Sequence, residues 1–241
     1  MQGKIFEGDY KTRCKNIDSL LCVGDTFDML KREIRLGDRH AVFYMIDGFL
    51  KGEVLEKIME FFLSLAPEDV PETYEDFLKK CTPYGDIVTV TTEQDFLHYV
   101  LSGLTGFVVE GYDEILVIDL RDYPSRSVEE PDKDKVLRGS RDGFVEAIMP
   151  NIALIRRRIR DVDLKFEIYS IGSSSRTDIS VVYMKDRVNQ KALSIIQKRL
   201  KKISVDSLTM NQESLAECLY KKRWINPFPK FKFTERPDTA A

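Results

Sequence analysis

One stretch of this 241-residue chain separates two regions with regular patterns of apolar residues. Between Arg121 and Asp142 the sequence is rich in proline and charge, and it shows neither the period of a helix nor the alternation of a strand. A loop of this length is uncommon inside a compact domain. The stretch therefore predicts a long charged linker between two folded units.

Both flanking regions alternate strands with amphipathic helices. This pattern predicts the α/β fold class: two small α/β subdomains, with mixed sheets flanked by helices, joined by the linker. The predicted parts are an N-terminal subdomain over residues 1–122, a linker over 123–142, a second subdomain over 143–225 and an extended strap over 226–241.

The first subdomain contains four predicted helices and five predicted strands. The helices cover Tyr10–Val23, Val54–Leu65, Glu72–Cys81 and Glu93–Leu101, and the strands cover Met29–Leu36, His40–Ile46, Ile87–Val90, Gly106–Val109 and Glu114–Leu120.

The second subdomain begins with a helix whose apolar stripe runs from Phe144 to Ile159, and Pro150 predicts a kink or a break in it. The further elements are strands over Lys165–Ile171 and Asp178–Met184, a helix with Ala192, Ile196, Leu200 and Ile203 facing inward, and a short helix over Gln212–Tyr220. The turn Gly172–Thr177 has the composition of a phosphate-binding loop. However, it leads into a strand and not a helix, which favours a hairpin turn.

The composition is that of a soluble globular protein, with 43% hydrophobic and 32% charged residues. The four cysteines form no CxxC pair, the two histidines have no partner at a catalytic spacing, and no nucleotide-binding or HExxH motif occurs. We therefore expect a reduced protein that is not an enzyme and has no catalytic, cofactor-binding or metal site.

Charge is distributed unevenly along the chain. Residues 1–139 carry 17 Lys and Arg against 28 Asp and Glu, whereas residues 140–241 carry 20 against 12, giving net charges of −11 and +8. Two explanations remain open: the basic region faces nucleic acid or an anionic membrane, or the two regions attract one another.

The basic residues are most concentrated at Arg156, Arg157, Arg158 and Arg160. The helical period predicts that Arg156, Arg157 and Arg160 point away from the isoleucine stripe and that Arg158 borders it. Such a face could bind nucleic-acid phosphates, anionic lipid, or carboxylates of a neighbouring segment, with Glu129 and Glu130 as partners. Because no aromatic stacking set accompanies the arginines, a salt-bridged or assembly face is favoured and nucleic acid is not expected as a partner.

Four groups of residues are distinctive: Arg126–Pro131, Arg138–Glu146, Ala153–Ile159, and Asn226–Pro229 with Thr234–Asp238. Together they resemble the GerA family, the A-type subunits of bacterial spore germinant receptors, over essentially the whole chain. Residues 28–49 and 224–238 resemble the SpoVAF branch of this family more than the nutrient-receptor branch. Ser140 and Pro150 depart from the family pattern.

The resemblance implies the soluble N-terminal region of a membrane protein of the spore inner membrane, on the cytoplasmic side and ending before the first transmembrane helix. It also implies partner subunits of the B and C types, homo-oligomerisation of the full-length protein into an ion channel, and a role in germinant-triggered ion release.

These expectations define a domain for oligomer assembly and signal coupling. The interaction residues are predicted to be Glu129, Glu130, Arg138, Arg141, Arg156, Arg157 and Arg158. The membrane-proximal strap is predicted to depend on Phe228, Phe231, Phe233 and Arg236. The alternative function is a germinant-binding module with a small-molecule pocket between the two lobes.

Overall fold

The computed structural model describes residues 3–82, 86–123, 142–206, 211–220 and 231–241. Contacts between Cα atoms divide the chain into two compact units. Among the described residues, the first unit contains 3–123 with Arg160–Val162, and the second contains the remainder. Of the predicted linker, only Tyr123 and Asp142 lie within the described residues, so its extent stays a prediction.

The first unit is built around a five-stranded antiparallel sheet in the order β1-β2-β4-β5-β3. Its strands are β1 (Met29–Leu36), β2 (Arg39–Ile46), β3 (Ile87–Val90), β4 (Thr105–Val109) and β5 (Ile115–Ile118), and its helices are α1 (Tyr10–Leu20), α2 (Gly52–Ser64), α3 (Tyr74–Lys80) and α4 (Glu93–Leu101). Short 3-10 helices cover Lys4–Phe6 and Pro67–Asp69.

Four phenylalanines form the centre of the first core. The Phe107 ring lies 4.4 Å from Phe43, 5.1 Å from Phe62 and 6.5 Å from Phe77, measured between ring centroids. On the opposite face Tyr44 contacts Phe96 of α4, and its hydroxyl lies 2.9 Å from Asp18 of α1. Because helices cover both faces of this sheet, β2 is buried from residue 41 to residue 46 and reads as a continuous apolar run.

The second unit is an antiparallel hairpin with one helix on each face. Its strands are β6 (Leu164–Ile171) and β7 (Thr177–Met184), and its helices are α5 (Ile148–Arg158), α6 (Gln190–Leu200), α7 (Asn211–Leu219) and α8 (Pro237–Ala240). Ile152 of α5 packs on Leu164 and Phe166, and Leu200 of α6 packs on Ile171. The predicted α/β class, with sheets flanked by helices, is confirmed. The prediction of mixed sheets was wrong, because the sheet in each unit is antiparallel throughout the described strands.

Two predictions about proline were wrong. Helix α5 begins at Ile148, so Pro150 lies in its first turn, where a backbone N–H has no partner within the helix. Because proline lacks this N–H, no hydrogen bond of the helix is lost at Pro150. The proline ring would clash with the carbonyl four residues earlier, but that residue, Glu146, lies outside the helix. The strap was also predicted to be free of helix, yet Pro237 begins the four-residue α8, because proline suits the first turn.

The inward face of α6 also differs from the prediction. Leu193 and Leu200 are buried, whereas Ala192 and Ile196 are exposed. Gln197 explains this rotation, because its side-chain nitrogen donates to both carboxylate oxygens of Glu167 on β6 at 2.9 Å. The same carboxylate accepts hydrogen bonds from Tyr169 and Tyr183, and these bonds lower its pKa against the opposing effect of burial.

We expect Phe62→Ala to reduce the free energy of unfolding by about 3–5 kcal/mol, because it removes a ring from the phenylalanine core. Leu63→Ala is the matched control: it is the next residue of α2 and is 59% exposed. This variant should change stability by less than about 0.5 kcal/mol. Urea unfolding followed by circular dichroism measures both, and similar losses would contradict the described packing.

Candidate functional site

Arg156 is a core residue of the second unit, contrary to the prediction that it points outward. Its side chain is 1% exposed, its Nη2 donates to the Leu164 carbonyl at 2.9 Å, and its guanidinium lies 5.1 Å from the centroid of the Phe166 ring. Because Arg156 follows Ile152 by four residues, the two side chains share one face of α5. The burial of Arg156 therefore fixes how α5 is rotated on the hairpin.

Arg157 and Arg158 point to a different partner. Both guanidinium groups donate to Oδ2 of Asp142, at 2.6 Å and 3.1 Å. Asp142 lies just before the segment that leads into α5, and that segment is held by two hydrogen bonds between the Asn151 side chain and the backbone of Val145. The Asp142 carboxylate thus accepts hydrogen bonds from two of the three consecutive arginines.

The C-terminal residues pack on the same part of the unit. The Phe144 N–H donates to the Glu235 carbonyl at 2.8 Å, and Pro237 is buried at the start of α8, which contacts α5. The Arg236 guanidinium forms a two-pronged ion pair with Asp238, with Nε 2.9 Å from Oδ1. The hydrogen bond from Arg236 and the charges of Arg236 and Arg158 lower the pKa of Asp238 to about 2.

We use the name arginine cluster for Arg157, Arg158 and Arg236 with Asp142 and Asp238. The structure brings together two of the predicted interaction residues, Arg157 and Arg158, with Arg236 of the predicted strap, and it places Arg156 in the core. Phe231 and Phe233 are exposed in the preceding segment. The predicted residues Glu129, Glu130, Arg138, Arg141 and Phe228 lie outside the described residues.

Sequence reasoning missed both carboxylates of the cluster. Asp142 belongs to the charged stretch without periodicity, where no helical or strand spacing indicates a partner. Asp238 carried a usable signal, because an Arg-Pro-Asp sequence places the two charges two residues apart at the start of a turn of helix.

The serine-rich turn forms the predicted hairpin connection, and the donors of Ser173 and Ser174 are already engaged. The backbone N–H groups of Ser173 and Ser174 donate to the carbonyls of Val205 and Asp206 at 3.1 Å and 3.0 Å. The hydroxyls of both serines donate to the Asp206 carboxylate. A bound phosphate would have to compete with these carbonyls and approach a carboxylate, so the turn is poorly suited to hold an anion.

The remaining chemistry of the described residues is sparse. Within them, no group of three or more His, Cys, Asp or Glu residues is arranged to hold a metal ion, and no helix is both long and apolar enough to cross a membrane. The cysteines are present as free thiols, and burial raises the pKa of Cys14 and Cys81.

Comparison with known proteins identifies the class. A model of the family described as Bacillus/Clostridium GerA spore germination protein matches residues 17–241. Stage V sporulation protein AF of Bacillus subtilis (strain 168) is 36% identical over 221 residues, covering 91% of this chain and 44% of that protein. The uncharacterized membrane protein YfkQ of the same strain is 27% identical over 230 residues, covering 94% and 44%.

The fold also has a counterpart among solved structures. The N-terminal domain of the A subunit of the Bacillus megaterium spore germinant receptor GerK3 superposes with a TM-score of 0.66 at 22% identity, covering 97% of this chain and 86% of that one. The chain belongs to the GerA spore germination protein family. It spans less than half the length of the two relatives from B. subtilis.

We expect Arg156→Met to lower the free energy of unfolding of the second unit by about 1–3 kcal/mol, because it removes the hydrogen bond from Arg156 Nη2 to the Leu164 carbonyl while keeping most of the side-chain volume. Arg157→Met should cost no more than about 1 kcal/mol, since its ion pair is partly exposed. Urea unfolding compares the two, and a larger loss for Arg157→Met would show that the burial of Arg156 is not what holds α5.

The ion pair of α8 predicts a specific response to pH. The folded-state pKa of Asp238 lies below its ordinary value of 3.8, so the contact stabilises the docked C-terminal residues above that pH and is lost as the pH falls towards 2. Carboxyl-carbon NMR should give a midpoint near 2, and Arg236→Ala should move it towards 3.8. A midpoint that does not respond to Arg236→Ala would contradict the described ion pair.

Proposed function

We propose that this chain is an assembly and signal-coupling domain of a spore germination receptor subunit or of a related channel subunit. Its membership of the GerA family and the fold it shares with a germinant receptor domain support this role. We place it on the cytoplasmic side of the spore inner membrane, in a homo-oligomer with B- and C-type partner subunits. There it would connect germinant sensing to ion release.

The observation that carries the proposal is the docking of the C-terminal residues on α5. Residues 231–241 are held by the Phe144–Glu235 hydrogen bond and by the buried Pro237, next to the arginine cluster. In a receptor chain twice this length, a movement of a segment that follows residue 241 would be transmitted to α5 through these contacts. From α5 it would reach β6 through Arg156 and Phe166.

Four of the predicted interaction residues lie outside the described residues, and their role in the proposal rests on the sequence. We assign to Glu129, Glu130, Arg138 and Arg141 contacts that fix the linker against the arginine cluster or against a neighbouring subunit. Their opposite charges suit such a network, because a charged pair that is partly desolvated constrains geometry more than it adds stability.

The test is charge reversal of the cluster in the full-length receptor. We expect the double variant Arg157→Glu, Arg158→Glu to weaken oligomerisation and to slow germination by about fivefold or more, the range typical of a coupling interaction. Lys79→Glu with Lys80→Glu on α3 is the control, because it changes the net charge equally at two exposed positions. Unchanged oligomerisation and germination in the cluster variant would refute the proposal.

A third substitution separates the two ways in which the cluster can act. Adding Asp142→Arg to the cluster variant restores opposite charges across the described ion pairs. Recovery of germination would assign the role to the internal network, whereas a lasting defect would assign it to contacts with another segment or subunit. A saturable rise in the unfolding temperature with one amino acid, nucleoside or sugar would instead favour the germinant-binding alternative.

A further inference from the structure

A second basic surface lies on α6, which is separated along the chain from α5 and its arginines. No Asp or Glu occurs between Asp186 and Asp206, a segment that contains six basic residues. These residues are Arg187, Lys191, Lys198, Arg199, Lys201 and Lys202. A run of this kind leaves a positive potential that neighbouring carboxylates on the same element do not cancel.

The geometry of α6 places an apolar side chain in the middle of this charge. Ile195 is 49% exposed on the face opposite Leu193 and Leu200. Lys191 lies four residues before it and Lys198 three residues after it, so both lysines flank it on the same face of the helix. Within the described part of the chain, neither lysine forms an ion pair.

Exposed aromatic residues continue the surface. The Arg199 guanidinium donates to the Leu219 carbonyl at 2.9 Å and lies 4.4 Å from the centroid of the Tyr220 ring. Phe231 lies 5.8 Å from Tyr220 and 6.5 Å from Phe233, and all three rings are exposed. We use the name α6 surface for the outer face of α6 together with these three rings.

We infer that the α6 surface binds the surface of a bilayer that contains anionic lipids. Interfacial helices combine lysines, which reach the headgroups, with isolated aliphatic and aromatic side chains, which enter the boundary with the acyl chains. A protein partner fits less well, because lysine is depleted in the cores of protein interfaces. Nucleic acid also fits less well, because Arg199 already occupies one face of Tyr220, the face on which a base would stack.

This inference does not depend on the proposed coupling role, since the α6 surface contains no residue of the arginine cluster. Failure of the lipid test would leave the coupling proposal intact, and failure of the germination test would leave the lipid inference intact.

The experiment is co-sedimentation of the 241-residue chain with vesicles. We expect binding to phosphatidylcholine vesicles that contain about 30% phosphatidylglycerol, and no binding to phosphatidylcholine alone. Binding should weaken as salt rises, because screening shortens the reach of the lysines. Equal binding to both vesicle types, or binding to neither, would overturn the inference.

Two pairs of variants test the surface itself. Lys191→Glu with Lys198→Glu should reduce the vesicle partition coefficient about tenfold or more, whereas Lys79→Glu with Lys80→Glu, of equal net charge, should have little effect. Ile195→Ser with Phe233→Ser should also weaken binding, whereas the exposed Leu63→Ser should not. An equal loss of vesicle binding in a variant and its control would overturn the inference. So would a second result: duplex DNA displaces the vesicles, and the variant with Ile195→Ser and Phe233→Ser binds them normally.

Discussion

The second unit depends on a buried and hydrogen-bonded cation, the guanidinium of Arg156. A charged group leaves water at a large cost unless its donors are satisfied, and the Leu164 carbonyl and the Phe166 ring supply this compensation. These contacts hold α5 in the rotation seen on the hairpin. With that rotation fixed, Arg157 and Arg158 meet Asp142, and the C-terminal residues find their place beside them. A core interaction thus determines the geometry of a surface cluster.

The fold could be predicted where apolar period and local capping act together. The bounds predicted for β1, β3 and α4 are those of the structure. In α4 the Thr92 hydroxyl accepts a hydrogen bond from the Asp95 N–H, which fixes the first residue, and the apolar stripe fixes the buried face. The first core is made of aromatic and aliphatic side chains. The spacing of hydrophobic residues in the sequence is therefore enough to predict most of its elements.

The second unit resisted prediction because polar side chains take part in its interior. Arg156 lies one helical turn from Ile152, at the edge of the apolar stripe, so the interpretation of the helical period that placed it on the outer face was wrong. Gln197 has the same effect on α6: its bonds to Glu167 turn Ile196 outward and Leu193 inward. The candidate site was therefore predicted by residue type and misjudged in orientation, and its carboxylate partners lay in segments without a periodic signal.

The positive charge of the second unit divides into two kinds, which the sequence could not separate. Arg157, Arg158 and Arg236 face carboxylates at hydrogen-bonding distance, and charges paired in this way lose most of their long-range field while they gain a fixed geometry. The lysines of α6 lack such partners in the described structure, so their field extends into solvent to about the Debye length. A salt-bridged face and a face for an anionic surface are therefore compatible explanations of one basic region, because they apply to different helices.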